Sequence, residues 1–472
     1  MGEPRINLSF EDLYQSDVES NTENTLFLIG LASDGPMDTV ATLQGMSGLR
    51  AYEAIAGTTG RLPHACREAI DVATQAKKAI TVKAMRCGAD AAKAFIEFQN
   101  DSTTAVALTV TYAYDGTAGN SCVGMVAHDV ATIIVTLSKT GLEEDEVDYE
   151  GDTLAEVKAA IDASGYFTAE IALGETTLAD VEAANFAGGL DGELTAAEVI
   201  RALQITEGFD LPNVIVLGAN TTAMRASIST HCANQLLTRQ NPRYAFVEMD
   251  TFDSTNVENS ALWRIDVETW AAGIVADLEE ETDYNLIAFA GQAKFLDAAG
   301  AEYEAPSVAT GAARVLGEPI HRSMINLQTP TVQSLVPNIP PEIRDTLADG
   351  RVNYLKYEKG RGYITANDRT LAESTSDFKY AQTVRTLYTC GAEALEAGKP
   401  VWGTPNDPAK DDGLAKIKAA MEKPLENRKG VNISDYEVTP KFVGENQVEA
   451  TVGITEYETM RDIEIVFYVK RS

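Results

Sequence analysis

Residues 213–291 read NVIVLGAN (213–220), a helical stretch over 222–237, YAFVEMD (244–250), a second helix over 259–273 and LIAFAG (286–291). Short apolar runs between amphipathic helices describe strands covered on both faces, which is the signature of a largely parallel sheet in an α/β core. The same rhythm occurs earlier. Leu26 to Ile29 form a buried run closed by Asp34, Gly35 and Pro36, a helix over 62–79 puts Cys66, Ala69, Ile70 and Ala73 on one face, and AITVKAMR (79–86) follows as a strand. Strand, helix, strand is a βαβ unit.

The two halves of this core are separated by a different pattern. AVALTVTYAYDGTAGNSCVGMVAHDVATIIVTLS (105–138) is rich in β-branched residues broken by a Gly-Asn turn, so it reads as an inserted β-rich unit. The run EEDEVDYEGD (143–152) carries seven carboxylates, but it lacks the alternating ligands, central Gly and closing Glu of a calcium loop, and it reads as a solvated hairpin tip. Thr153 with Glu156, and Thr195 with Glu198, are capping boxes that open helices. GGLDGELT (188–195) has neither the Lys of a P-loop nor dinucleotide spacing. A third pattern follows residue 346, with β-like stretches turning at Gly350 and Gly360 to Gly362, helices over 378–396 and 412–429, and the alternating strands QVEATVGITEY (447–457) and DIEIVFYV (462–469).

The expected organisation of the 472 residues is therefore an N-terminal arm (1–25), a discontinuous α/β core (26–98 and 191–345), an inserted β-rich domain (99–190) and an α+β C-terminal domain (346–472) ending in a strand arm (461–472). Ile463, Ile465, Phe467 and Val469 alternate with Val466 and Tyr468 almost to the chain end. An apolar strand there must be covered, or other chains add to it. These residues, with the arm before residue 25, are the candidates for strand pairing between subunits.

Composition excludes several functions. A net charge of −33 repels phosphate backbones and anionic membranes, so no nucleic acid is expected as a partner. Such acidity keeps a protein soluble, and suits one present in many copies. No stretch approaches the roughly 20 apolar residues of a membrane span, and the N-terminus lacks the order of a signal peptide. Cys66, Cys87, Cys122, Cys232 and Cys390 are scattered without a C-x-x-C, and read as buried thiols in a reducing cytoplasm. His64, His128, His231 and His321 have no ligand-spaced partners. His231 adjoins Cys232, yet sequence neighbours on a helix point to different faces. No G-x-S-x-G elbow is present. No metal, cofactor or catalytic group is assigned; a self-assembling structural protein and an α/β hydrolase or binding module of unknown substrate are the two readings, and the terminal strands favour the first. In 414–430 the cations Lys416, Lys418, Lys423, Arg428 and Lys429 outnumber Glu422 and Glu426, which suggests an anionic partner surface or, equally, a solvated face with its basic end near the helix C-terminus.

Taken in order, FLIGLASDGPMDTVATLQGMSGLRAYEAIAG (27–57), LTVTYAYDGTAGNSCVGMV (108–126) with Gly116, Gly119 and Asn120, FAGGLDGELTAAEVIRALQITEGFDLPNVIVLGAN (186–220), VNYLKYEKGRGYITANDRTLA (352–372) and WGTPNDP (402–408) resemble the contractile tail sheath proteins of bacteriophages and related injection systems. The resemblance spans roughly 400 residues. It implies a subtilisin-like α/β core without the protease's site, an outward-facing insertion and a C-terminal domain facing an inner tube. It also implies no cofactor, and as partners further copies of the chain, a tube protein, and baseplate and terminator proteins. The implied setting is a virion tail assembled in a bacterial cytoplasm.

Overall fold

The computed structural model describes residues 6–7, 24–129, 132–139, 146–401, 412–444 and 447–457. At its centre lies an eight-stranded sheet in the order Gly362–Ala366, Asn353–Glu358, Leu286–Ala290, Tyr244–Glu248, Asn213–Val216, Thr25–Gly30, Thr81–Arg86, Val40–Gln44. Its inner neighbours all pair in parallel, and each edge is closed by an antiparallel strand, Gly362–Ala366 as a hairpin partner and Val40–Gln44 across two intervening helices. The strands that read as unbroken apolar runs are buried throughout, because helices cover both faces. Arg61–Gln75, Val308–Leu316 and the start of Ala381–Gly398 pack on one face, and Ala196–Ile205, Thr222–Arg239, Ala261–Asp277 and Pro341–Asp349 on the other. Each fully buried Leu, Ile or Phe in these layers contributes about 1.5–3 kcal/mol.

Residues 93–185 form two further sheets, one of three strands around Val106–Asp115 and one of four around Thr132–Ser138. With the helix Leu154–Ala163 they enclose a core of their own that includes Phe98, Leu108, Val110, Leu137 and Ile161. Thr153 and Glu156 make both halves of the expected capping box. At the second one, Thr195 accepts from Glu198 N, but the Glu198 carboxylate turns instead to Gly88 N and Arg201. Six of the ten residues of the acidic run, Glu146–Gly151, form a paired strand rather than a tip; residues 143–145 lie outside the described residues.

The C-terminal layer differs from expectation in two respects. The sheet runs past the boundary expected at 346, since Asn353–Glu358 and Gly362–Ala366 are its edge. Moreover, Gln447–Thr455 pairs with Asp435–Gly444, a strand the sequence reading passed over. Helix Ala381–Gly398 serves two cores: Ala381, Val384 and Tyr388 pack on the large sheet, while Cys390, Ala394 and Leu395 meet Ile417, Met421 and Leu425 of Asp412–Arg428. Pro424 inside that second helix costs about 3 kcal/mol of helix stability, which burial of its apolar stripe offsets.

Candidate assembly interface

The C-terminal hairpin does not end its own sheet. Ile6–Asn7 of the N-terminal arm lie parallel to Val448 and Glu449, so Gln447–Thr455 becomes the middle of three strands. Main-chain pairing at this edge is therefore open to a strand that arrives from far away in sequence, which is what strand addition requires. The strand candidates Ile463, Ile465, Val466, Phe467, Tyr468 and Val469 lie outside the described residues.

The five cations of the C-terminal helix separate into two groups. Ile417, Met421 and Leu425 face the core, leaving Lys416, Lys418 and Lys423 exposed, with Lys418 3.7 Å from Glu422. Arg428 is half-buried, donating to both carboxylate oxygens of Glu393 and, at 3.1 Å, to Asn432 Oδ1. Lys429 pairs with Asp435 at 2.6 Å. The last two are thus tied to partners in their own layer, although Lys429, like the first three, is exposed.

The glycine-rich turns of the sequence meet at the junction between the core and the 93–185 unit. The connections run antiparallel, with Ala89 opposite Glu193, Ala92 opposite Leu190 and Phe95 opposite Ala187. Asn120 donates to Gly189 O at 3.0 Å and accepts from Gly189 N at 2.8 Å, joining two stretches that looked unrelated in sequence. At Gly116, with φ +119°, a Cβ would stand 2.1 Å from Ser33 O. Below the turn, Lys139 donates to Asp34 and to the Tyr112 hydroxyl, Tyr112 donates to Asp34 Oδ1 at 3.1 Å, and all three are buried. Arg86 bridges the same seam by donating to Gly35 O (2.7 Å) and Asp115 O (2.6 Å).

In an open α/β sheet, ligands bind where strand order reverses, here beyond Gly30 and Val216. An ion-paired cluster stands near these strand ends. Arg61 donates to Glu248 through Nε (3.2 Å) and Nη2 (2.8 Å) and to Glu68 through Nη1 (3.0 Å), while Glu248 accepts from Gly218 N at 2.7 Å. The arginine is thus shared unequally, and Glu68 Oε2 has no partner among the described residues. Burial, reinforced by Glu248, pushes the Glu68 carboxyl up to about 8 despite the arginine. Between its ordinary 4.5 and about 8, the folded chain holds a proton that the unfolded chain has released. The site's contribution is then full below pH 4.5 and lost as the pH rises to about 8. The expected outcome is that wild-type thermal stability falls relative to Glu68→Gln from about pH 5 to about pH 8; parallel curves would place the proton elsewhere.

Each histidine has a neighbour in contact with its ring. His231 Nε2 accepts from the buried Arg243 guanidinium at 2.8 Å, and burial next to that cation lowers its pKa to about 3. Cys232 is buried, with its thiol pushed up to about 12 by desolvation. His64 stacks on Tyr303 with ring centroids 4.0 Å apart, His128 meets Asp180 at 2.6 Å, and His321 meets Asn432 at 2.9 Å. Among the described residues no cluster of His, Cys, Asp and Glu has metal-site geometry, and no helix is long and apolar enough to cross a membrane.

This mixed α/β multidomain architecture is the fold of sheath tail proteins. A sheath tail protein from Desulfitobacterium hafniense matches with a TM-score of 0.65 at 14% identity, over 94% of this chain and 99% of that one. A sheath tail protein from Listeria innocua matches at 0.56 and 15%, over 93% and 96% of the two chains. The helical sheath of the anti-feeding prophage in its contracted state matches at 0.54 and 10%, over 99% of each chain. No family model and no curated protein matches the chain.

Proposed function

We propose that this chain is the structural subunit of a contractile tail sheath, which polymerises around an inner tube and contracts to drive that tube through a bacterial envelope. The observation that carries the reading is fold agreement over essentially the whole chain with a helical sheath in its contracted state. The added strand at Gln447–Thr455 supplies a physical means of assembly. Each paired backbone hydrogen bond contributes about 1 kcal/mol net, so a six-residue strand ties neighbouring copies by a few kcal/mol while the linker before it lets the bodies turn. Contraction then draws on the metastability of the extended lattice and needs no nucleotide or catalytic group.

On this reading the core is subtilisin-like in topology, the 93–185 unit faces outward, and residues 6–7 together with 412–457 form the layer nearest the tube. Residues 463–469 are the strand passed to another copy. Lys416, Lys418 and Lys423 face an anionic tube. Baseplate and terminator proteins bound the polymer, and assembly takes place in the host cytoplasm before the tail joins a virion or injection particle.

Electron microscopy of the purified protein tests the proposal. Helical tubes are expected, whereas monodisperse small particles at high concentration would overturn it. In the same assay Lys416→Glu with Lys423→Glu is expected to leave sheath-only polymers intact and to abolish assembly on inner tubes; undiminished tube binding would remove these lysines from the interface.

A further inference from the structure

A cationic cavity opens where the core meets the C-terminal layer. It measures about 460 Å³ and is lined chiefly by polar groups, including Arg314, Arg322, Arg361, His321, Glu318 and Gln328. Two of its arginines are set in place by the backbone. Arg314 donates through Nε to Gln328 O at 2.8 Å and through Nη1 to Glu318 at 2.6 Å, while Arg361 donates through Nη2 to Asn326 O at 3.0 Å. Arg361 stands at the tip of the hairpin Asn353–Glu358/Gly362–Ala366, between Gly360 and Gly362 at φ +86° and +81°, so the turn that carries it is fixed by residues free to adopt that conformation. Arg322 is exposed, and no hydrogen bond or ion pair of its guanidinium is found among the described residues. Burial and the neighbouring Arg322 guanidinium lower the His321 pKa from its ordinary value; three arginines and one carboxylate, Glu318, line the cavity, and Arg361 also lies 3.4 Å from Glu358 at its own turn.

We propose that this cavity is a contact between copies of the chain, in which the three arginines receive exposed carboxylates of a second copy. The inference rests on the sheath reading and adds a site to it. Charge complementarity supports this occupant. The chain carries 71 Asp and Glu against 38 Lys and Arg, so two copies repel over most of their surfaces. A cluster of cations therefore selects the orientation in which they can approach, and the arginine forks suit carboxylates in bidentate geometry. Because Arg314 and Arg361 are held before binding, little side-chain entropy is lost on contact. The position agrees: His321 lies 6.5 Å from Tyr457, ring to ring, at the end of the hairpin whose edge accepts an added strand.

The test is polymerisation of full-length wild type and Arg322→Glu/Arg361→Glu, followed by sedimentation and electron microscopy across a sodium chloride series. Both substituted residues are exposed, and unchanged thermal unfolding of the variant establishes that it folds. The critical concentration of the variant is expected to rise at least about tenfold at low salt, with the difference shrinking as salt is added. Equal critical concentrations and equal salt dependence overturn the proposal while leaving the sheath reading standing. A wild type that never polymerises overturns both. If inorganic phosphate at matched ionic strength raises the unfolding temperature of wild type but not of the variant, the occupant is a free anion, and the copy-to-copy contact is overturned in its favour.

Discussion

Lys139→Met is expected to destabilise the protein by about 3–5 kcal/mol, because it removes one partner of a buried ion pair and leaves the other charged and uncompensated. Asp34 would keep the Tyr112 hydroxyl and Gly35 N as donors, but neither carries charge. The double substitution Asp34→Asn/Lys139→Met should recover most of the loss, since replacing both charges removes the desolvation cost along with the attraction. Urea midpoints for the single and double variants measure this directly. Proteolysis at 88–95 and 187–193 should accelerate in Lys139→Met before the core itself opens, because the pair joins the core turn at Asp34 to the strand end at Lys139 of the inserted unit. A single variant as stable as wild type would show that the seam is held by its backbone bridges alone.

Gly116→Ala should cost a comparable amount for a different reason. At φ +119° and ψ 164° the residue lies in a region that only glycine occupies readily, and its Cβ would overlap Ser33 O and Ser33 C, both backbone atoms that cannot rotate away. Strain of about 1–3 kcal/mol and a similar overpacking cost give a total of about 2–6 kcal/mol. Gly174→Ala is the comparison: Gly174 also has positive φ, but nothing stands within 4 Å of its Cβ position, so only the conformational part should appear. Equal losses at the two sites would mean that close approach at Gly116 contributes nothing.

Much of the core was legible because its strands are covered on both faces and so are written as unbroken apolar runs. Asn213–Val216, Tyr244–Glu248 and Leu286–Ala290 fall where the runs predicted. Asp435–Gly444 was missed because Pro440 interrupts an otherwise alternating stretch; it is an edge strand of its sheet, the setting in which proline is tolerated. That the large sheet continues into 353–366 was hidden for a related reason: a hairpin rich in Tyr, Lys and Gly does not look like part of a buried sheet, yet as an edge it needs covering on fewer sides. Among the site residues, exposure of Lys416, Lys418 and Lys423 follows from helical periodicity, since Ile417, Met421 and Leu425 define the opposite face. The engagement of Arg428 with Glu393 does not, because it depends on how two helices distant in sequence cross. The Asp34–Lys139 pair was likewise invisible, as two ordinary residues 105 apart in the chain. The glycines at 116, 188, 189 and 192 were read only as turns, and the fold shows that several are small because another strand of backbone lies against them.

That packed seam bears on how such a chain can be altered. The inserted unit leaves and re-enters the core at adjacent points, with Ala89 N donating to Glu193 O at 2.9 Å. Sequence added at its exposed turns, such as 101–104 or the fully exposed Leu173, lengthens a loop whose ends are already fixed, at little expected cost to the core. Wholesale removal is another matter, because Asp34 and Arg86 would lose Lys139, Tyr112 and the Asp115 carbonyl together. The insertion can therefore be enlarged or redecorated as a display platform, but a grafted replacement must bring its own cation to Asp34 and its own carbonyl to Arg86.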